Sequence, residues 1–197
     1  DPYRINSVDD LVELGWYIQD WEKHIVLTTD IILNPDNIDD PNVYYPNANF
    51  NKIGIEKLPF SGHFNGNMHS INHLRNQNEG EEFNGLFGYI EGSGPDDVVV
   101  ENLRISNPVF AGRYGHGGLA GWLESAKIKR CSVEDFTLSN LLSDNIYAAN
   151  FGGLVGKARN ATISMSYVRG VINLGSPLVG DNQGGLVGSL ENSTVRD

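Results

Sequence analysis

Asn84-Gly-Leu-Phe-Gly88 returns as Gly117-Gly-Leu-Ala-Gly121, Gly152-Gly-Leu-Val-Gly156 and Gly184-Gly-Leu-Val-Gly188. The central leucines, Leu86, Leu119, Leu154 and Leu186, stand 33, 35 and 32 residues apart. Recurrence at such a period marks a stacked repeat architecture, in which each unit buries its apolar face against its neighbours. Residues that return with every unit maintain the stack. Function is to be sought among those that do not.

More than the pentad returns. Nine residues after the pentad leucine comes Ile128-Lys-Arg-Cys131-Ser-Val133, then Ile163-Ser-Met-Ser166-Tyr-Val168, and the fourth unit is reaching Val195 when the sequence stops. The first unit carries Val100-Glu-Asn-Leu103-Arg-Ile105 after an insertion of five residues. A third apolar stretch follows, as Val109-Phe110, Phe136-Thr-Leu138 and Val171-Ile172. Short, β-branched or aromatic segments bounded by Gly, Asn, Asp or Ser read as strands joined by turns. Three strands per unit and no helical spacing predict an all-β right-handed parallel β-helix. Gly85, Gly88, Gly118, Gly121, Gly153, Gly156, Gly185 and Gly188 are then corner residues, where a Cβ would clash or forbid positive φ. The four leucines form an apolar ladder, each contributing roughly 1.5–3 kcal/mol on burial. A phosphate-cradling loop is disfavoured, since no Lys-Ser/Thr follows and no helix presents its N-terminus.

The pentad with its I-x-x-C/S-x-V segment resembles the GLUG repeat, from about Phe83 to the end of the chain. The stretch Pro59-Phe-Ser-Gly-His-Phe-Asn-Gly66-Asn-Met-His69-Ser-Ile71 also resembles what precedes such repeats, with Asn65 and Met68 where that family has Asp and Gly. The resemblance implies a secreted or surface-exposed bacterial protein of adhesin-like kind, or a non-catalytic region of an immunoglobulin-A-cleaving peptidase. It implies architecture and location more than activity.

The ends differ from the middle. Ser7-Val-Asp-Asp10 reads as a capping box, and Val8, Leu11, Val12, Leu14 and Ile18 keep close to helical spacing until about Asp20. Gly15 weakens this helix by roughly 1 kcal/mol relative to Ala. The expected role is a short N-terminal capping helix over the first strand edges. Residues 1–82 are thus read as cap, first coils and an Asn/Tyr-rich loop. Residues 83–197 hold the repeats, at about 83–116, 117–151, 152–183 and an incomplete 184–197, all within one continuous domain. The last edge is expected either to continue into further coils or to meet another molecule end to end.

Length and charge bound the functional classes. At 197 residues the chain suits one domain with an ample core. A net charge of −11 opposes a nucleic-acid footprint, and no apolar run is long enough to span a bilayer. The single Cys131 falls in the column of Leu103 and Ser166, as a small buried residue.

Several clusters invite chemistry. His63, His69 and His73 lie within eleven residues, but intervening turns argue against a metal site. Asp30, Asp36, Asp39 and Asp40 could supply oxygens to calcium, yet the spacing of a calcium loop is missing. Glu124 aligns with Arg159 and Glu191, which reads as a surface ion ladder rather than the paired carboxylates of a glycosidase. Asp96 and Asp97 sit in a turn. No zinc-peptidase or serine-hydrolase motif occurs. No cofactor is therefore expected. The non-repeating aromatic residues suit binding better. Tyr44, Tyr45 and Phe50 belong to an Asn-rich loop, while Tyr89 and Trp122, beside Tyr114, share a column with Lys157 and Ser189.

The sequence thus reads as a non-enzymatic extracellular or cell-surface module. It would act in adhesion, in binding a host or cell-surface glycan or protein, or as a rigid stalk. The competing readings are a β-helical carbohydrate-active enzyme and the non-catalytic region of a larger peptidase.

Overall fold

The computed structural model describes residues 2–33, 50–77, 82–94, 97–111, 114–139, 149–173 and 182–197. Among the described residues the fold is all-β with one α-helix, and the ladders between the named strands are parallel. A seven-stranded sheet runs from Tyr3–Ile5 through His24–Leu27, His63–Asn65, Val99–Glu101, Lys127–Lys129 and Thr162–Ser164 to Thr194–Arg196. A second carries Ile31–Ile32, Ser70–Asn72, Arg104–Ser106, Ser132–Ser139 and Tyr167–Asn173, together with Arg75–Gln77 and Val109–Ala111. Two four-stranded sheets complete the set. One joins Phe87–Glu91, Ala120–Glu124, Val155–Arg159 and Val187–Glu191; the other joins Glu82–Asn84, Tyr114–His116, Ala149–Gly152 and Gln183–Gly184.

The registers match the columns read from the sequence. Ile128 pairs with Val100 and Ile163, Ile163 with Val195, and Val133 with Ile105 and Val168. The pentad leucines form the expected ladder: Leu119 N–H donates to Leu154 O at 3.0 Å, and Leu154 N–H to Leu186 O at 2.9 Å. Leu86, Leu119 and Leu154 are buried, and Leu186 packs partly buried against the same core.

Two expectations need correction. The I-x-x-C/S-x-V segment is not one strand but two, with a corner between them at Asn102, Arg130 and Met165, where φ is 55°, 50° and 49°. The reason lies in parity. Ile128, Cys131 and Val133 are all buried, and residues three apart cannot share a face of a straight strand. With the additional short strand before or into the pentad, a unit such as Tyr114–Ser139 holds four strands, not three.

The second correction concerns glycine. Among the described residues, positive φ at glycine occurs only at Gly54 and Gly115; none of the eight pentad glycines named above has it. The left-handed corners fall chiefly on asparagine, as at Asn160 and Asn192 beside Ser125, because its short polar side chain tolerates that conformation. The pentad glycines are required for space. A Cβ on Gly121 would lie 2.4 Å from the Phe83 carbonyl carbon, and one on Gly156 2.6 Å from His116 N. Gly153 is closed by the Gly185 carbonyl and the Val168 side chain, both 2.5 Å from a Cβ placed there.

The helix spans Val8–Trp16, shorter than its sequence pattern, and a 3-10 turn covers Ile18–Asp20. Asp10 N–H donates to Ser7 Oγ at 3.1 Å, and the Asp10 carboxylate accepts from Asn6 N–H at 2.8 Å. Leu11 and Leu14 enter the core, but Ile18 is half exposed, because the helix has ended before it. Trp21 Nε1 donates to Leu14 O at 2.7 Å, satisfying a carbonyl that the shortened helix leaves open. Gly15 has its own reason: a Cβ there would sit 2.4 Å from Asn51 O.

Candidate functional site

The column of Tyr89, Trp122, Lys157 and Ser189 is a register row of one sheet. Trp122 is opposite Tyr89 and Lys157, and Lys157 is opposite Ser189. In-register parallel strands place equivalent side chains one above another. Here that places the Tyr89 and Trp122 rings parallel within 8°, with centroids 5.4 Å apart. Lys157 Nζ lies 4.3 Å from the centre of the Trp122 ring, a cation–π contact. Phe83 meets both rings edge-on, at 5.2 Å from Trp122 and 6.0 Å from Tyr89. It fits because Gly115 has no side chain: a Cβ there would lie 2.3 Å from Phe83 Cδ1.

Beneath the rings runs the ion ladder. Arg159 Nε donates to Glu124 Oε2 at 2.6 Å, Asn160 Nδ2 to Glu124 Oε1 at 3.2 Å, and Trp122 Nε1 to Glu124 Oε2 at 3.2 Å. Arg159 is also opposite Glu191. Glu124 is therefore a buried, fully engaged carboxylate. Burial first, then the charges of Glu91 and Glu124, push the Tyr89 hydroxyl up to about 12, so it is a neutral donor throughout the physiological range.

This geometry changes what the aromatic residues can do. Trp122 is partly buried, and Tyr89 is only 9% exposed, not open beside the pentad as its column suggested. A sugar ring needs an open aromatic face. The Trp122 faces meet Tyr89 and Lys157, so the cluster offers edges, Lys157 and Arg159 to a partner. Tyr114 is half exposed, as its position implied. Phe50 is 2% exposed and belongs to the core, which corrects its reading as a contact residue. Its N–H donates to Arg75 O, which pins the backbone inward at this residue. Tyr44 and Tyr45 lie outside the described residues, as do Asp36, Asp39, Asp40 and Asp96. The sequence reading missed Phe83, because its ring reaches across from another sheet.

The remaining clusters resolve into local pairs. His63 Nε2 lies 3.3 Å from Glu101 Oε1, while His69 Nδ1 lies 3.5 Å from Asp30 Oδ1. His73 sits at a left-handed corner, and the His24 ring lies 5.5 Å from that of His63, centroid to centroid. Among the described residues no group of three His, Cys, Asp or Glu could hold a metal ion. Asp30 accepts from Ser70 N–H at 2.7 Å, which together with the Ser70 hydroxyl holds its carboxyl below the ordinary range. Cys131 is buried, and desolvation pushes its thiol up to about 12.

Comparison with solved structures finds one likeness of note. A candidate immunoglobulin A1 protease from Bacteroides ovatus superposes with a TM-score of 0.60 at 16% identity, over 99% of this chain and 67% of that one. At that identity the likeness concerns the fold. No family model matches the chain, and no curated protein matches it. The GLUG resemblance therefore rests on the quoted residues. Among the described residues no helix is long and apolar enough to cross a membrane.

Proposed function

We propose that the chain is a non-enzymatic extracellular or cell-surface module of bacterial origin. In this reading its sheets are the faces of a right-handed parallel β-helix closed at its start by the Val8–Trp16 helix. It serves as a rigid platform that binds a glycan or protein. The observation that carries the reading is the unbroken register from Tyr3–Ile5 to Thr194–Arg196, in which each strand pairs only with equivalents in adjacent units. A stack of that kind is stiff along its length and repeats its lateral surface, as binding solenoids do. The acidic balance of the chain favours solubility over attachment to nucleic acid.

A second reading has its own support. The likeness to the Bacteroides ovatus protein favours a non-catalytic region of a peptidase of immunoglobulin-A type, in which this module would position a catalytic part or its substrate. One experiment tests both. The purified chain is incubated with immobilised glycans and with immunoglobulin A1, and capture and products are followed together. Retention on either without any cleavage product is expected. Polysaccharide or immunoglobulin fragments produced by this chain alone would overturn the non-enzymatic reading.

A further inference from the structure

A groove of about 260 Å³ runs across the units where the first seven-stranded sheet turns into the second. One rim is the left-handed corner column, Met68, Asn102, Arg130 and Met165. The other is a row of the second sheet, where Arg104 is opposite Ser132 and Ser132 opposite Tyr167.

Charge distinguishes this groove from the rest of the molecule. The chain carries 25 acidic against 14 basic residues, yet Arg104 and Arg130 line the groove and no carboxylate does. Arg130 is held in place, its Nε donating to Asn102 Oδ1 at 2.6 Å and its Nη2 lying 3.3 Å from Glu101 Oε2. The Tyr167 hydroxyl donates to Glu134 Oε1 at 2.6 Å, which fixes the ring while leaving it half exposed. Arg104 is exposed; its backbone N–H donates to His69 O at 3.3 Å, while its guanidinium, among the described residues, makes no side-chain hydrogen bond or close ion pair and feels the Asp30 and Glu134 carboxylates only from a distance. A fixed ring, two methionines, a serine and an asparagine thus line the same groove as a guanidinium that no close ion pair holds.

From this geometry we infer that the groove binds a carboxylate-bearing saccharide unit. The Arg104 fork takes the carboxylate, Tyr167 and the methionines contact the apolar face of the ring, and Asn102 faces its hydroxyls. A peptide strand is disfavoured. The Arg104–Ser106 strand already pairs on both sides, with Ser70–Asn72 and with Ser132–Ser139, so the wall has no free backbone edge for strand addition. The volume suits one sugar unit rather than a drug-sized ligand. The inference deepens the proposed glycan-binding function and rests on it.

The test is calorimetric titration of the whole chain with tri-galacturonate, with cellotriose as the neutral counterpart and tri-glutamate as the acidic peptide. Tri-galacturonate is expected to bind at least tenfold more tightly than either and to weaken as salt rises. Arg104→Ala and Arg104→Gln should each lose at least tenfold, while Arg4→Ala, an exposed arginine on the Tyr3–Ile5 strand, should not change the affinity. Thermal unfolding confirms that each variant folds. Equal binding by the Arg104 variants, equal binding of cellotriose, tighter binding of tri-glutamate, or no binding of tri-galacturonate would each overturn the assignment. Failure here with capture of another glycan or a protein leaves the platform reading standing. Cleavage of bound tri-galacturonate would instead sink the non-enzymatic reading and keep the site.

Discussion

Trp122 lies parallel to Tyr89 in the neighbouring strand, 5.4 Å between centroids, with Lys157 Nζ 4.3 Å from the same indole. Three residues from three successive units thus make one stack, because an in-register parallel ladder cannot avoid superposing them. Trp122 Nε1 and Arg159 Nε both donate to the buried Glu124 carboxylate beside the stack, so a buried charge that would be costly if left unpaired is fully engaged. What resembles an exposed aromatic platform is part of the fabric of the sheet.

A double-mutant cycle should show that coupling. Tyr89→Ala and Trp122→Ala should each destabilise, with an interaction energy of about 1 kcal/mol between them, the size expected of a stacked cross-strand pair. Urea midpoints of the four proteins measure it. Strict additivity would mean that the rings share a surface without supporting each other.

Glycine substitutions should separate by position within the pentad. Gly121→Ala places a methyl on the Phe83 backbone and should cost about 3 kcal/mol, since backbone yields less readily than a side chain. Gly185→Ala meets nothing within 4 Å and should stay within about 0.5 kcal/mol of the parent. Similar losses at both sites would show that glycine is needed for conformation rather than for space.

Cys131 should be silent toward thiol reagents. Its thiol, buried and pushed up from 9.0 to about 12, presents almost no thiolate at pH 8. Ellman's reagent should register one thiol per chain in 6 M guanidinium and none in the folded protein. The raised value also makes this group's contribution complete below about pH 9 and lost as pH climbs toward 12. Rapid labelling of the native chain would contradict the burial.

Glu134 should govern part of the acid limb. The Tyr167 hydroxyl first, then Ser132 and Arg169, hold its carboxyl below the ordinary 4.5. A carboxyl depressed in the folded state stabilises above its unfolded value, and that contribution is lost as pH falls through the folded one. Glu134→Gln should therefore flatten the loss of stability below about pH 4.5, seen in urea midpoints between pH 7 and 2. Parallel curves for the two proteins would remove Glu134 from the acid response.

The sequence by itself determined the stacking. A period near 33 residues, with Leu86, Leu119, Leu154 and Leu186 in one column and Ile128 aligned with Ile163, leaves equivalent strands little choice but to pair in parallel. It also aligned Trp122 with Tyr89, and Glu124 with Arg159, because register follows from the repeat itself. Only the tertiary structure decided where the chain turns and what each column faces. Arg130 carries no mark of a left-handed corner, since the burial of Ile128, Cys131 and Val133 on both sides of it forces the bend. Phe50 looks like any loop aromatic until the core claims it. The pentad glycines, too, gain their meaning from backbone that arrives from elsewhere: nothing beside Gly121 in sequence says that Phe83 lies against it. Repetition fixes what is equivalent, whereas close packing between sheets fixes what is near, and the second depends on contacts that no local pattern records.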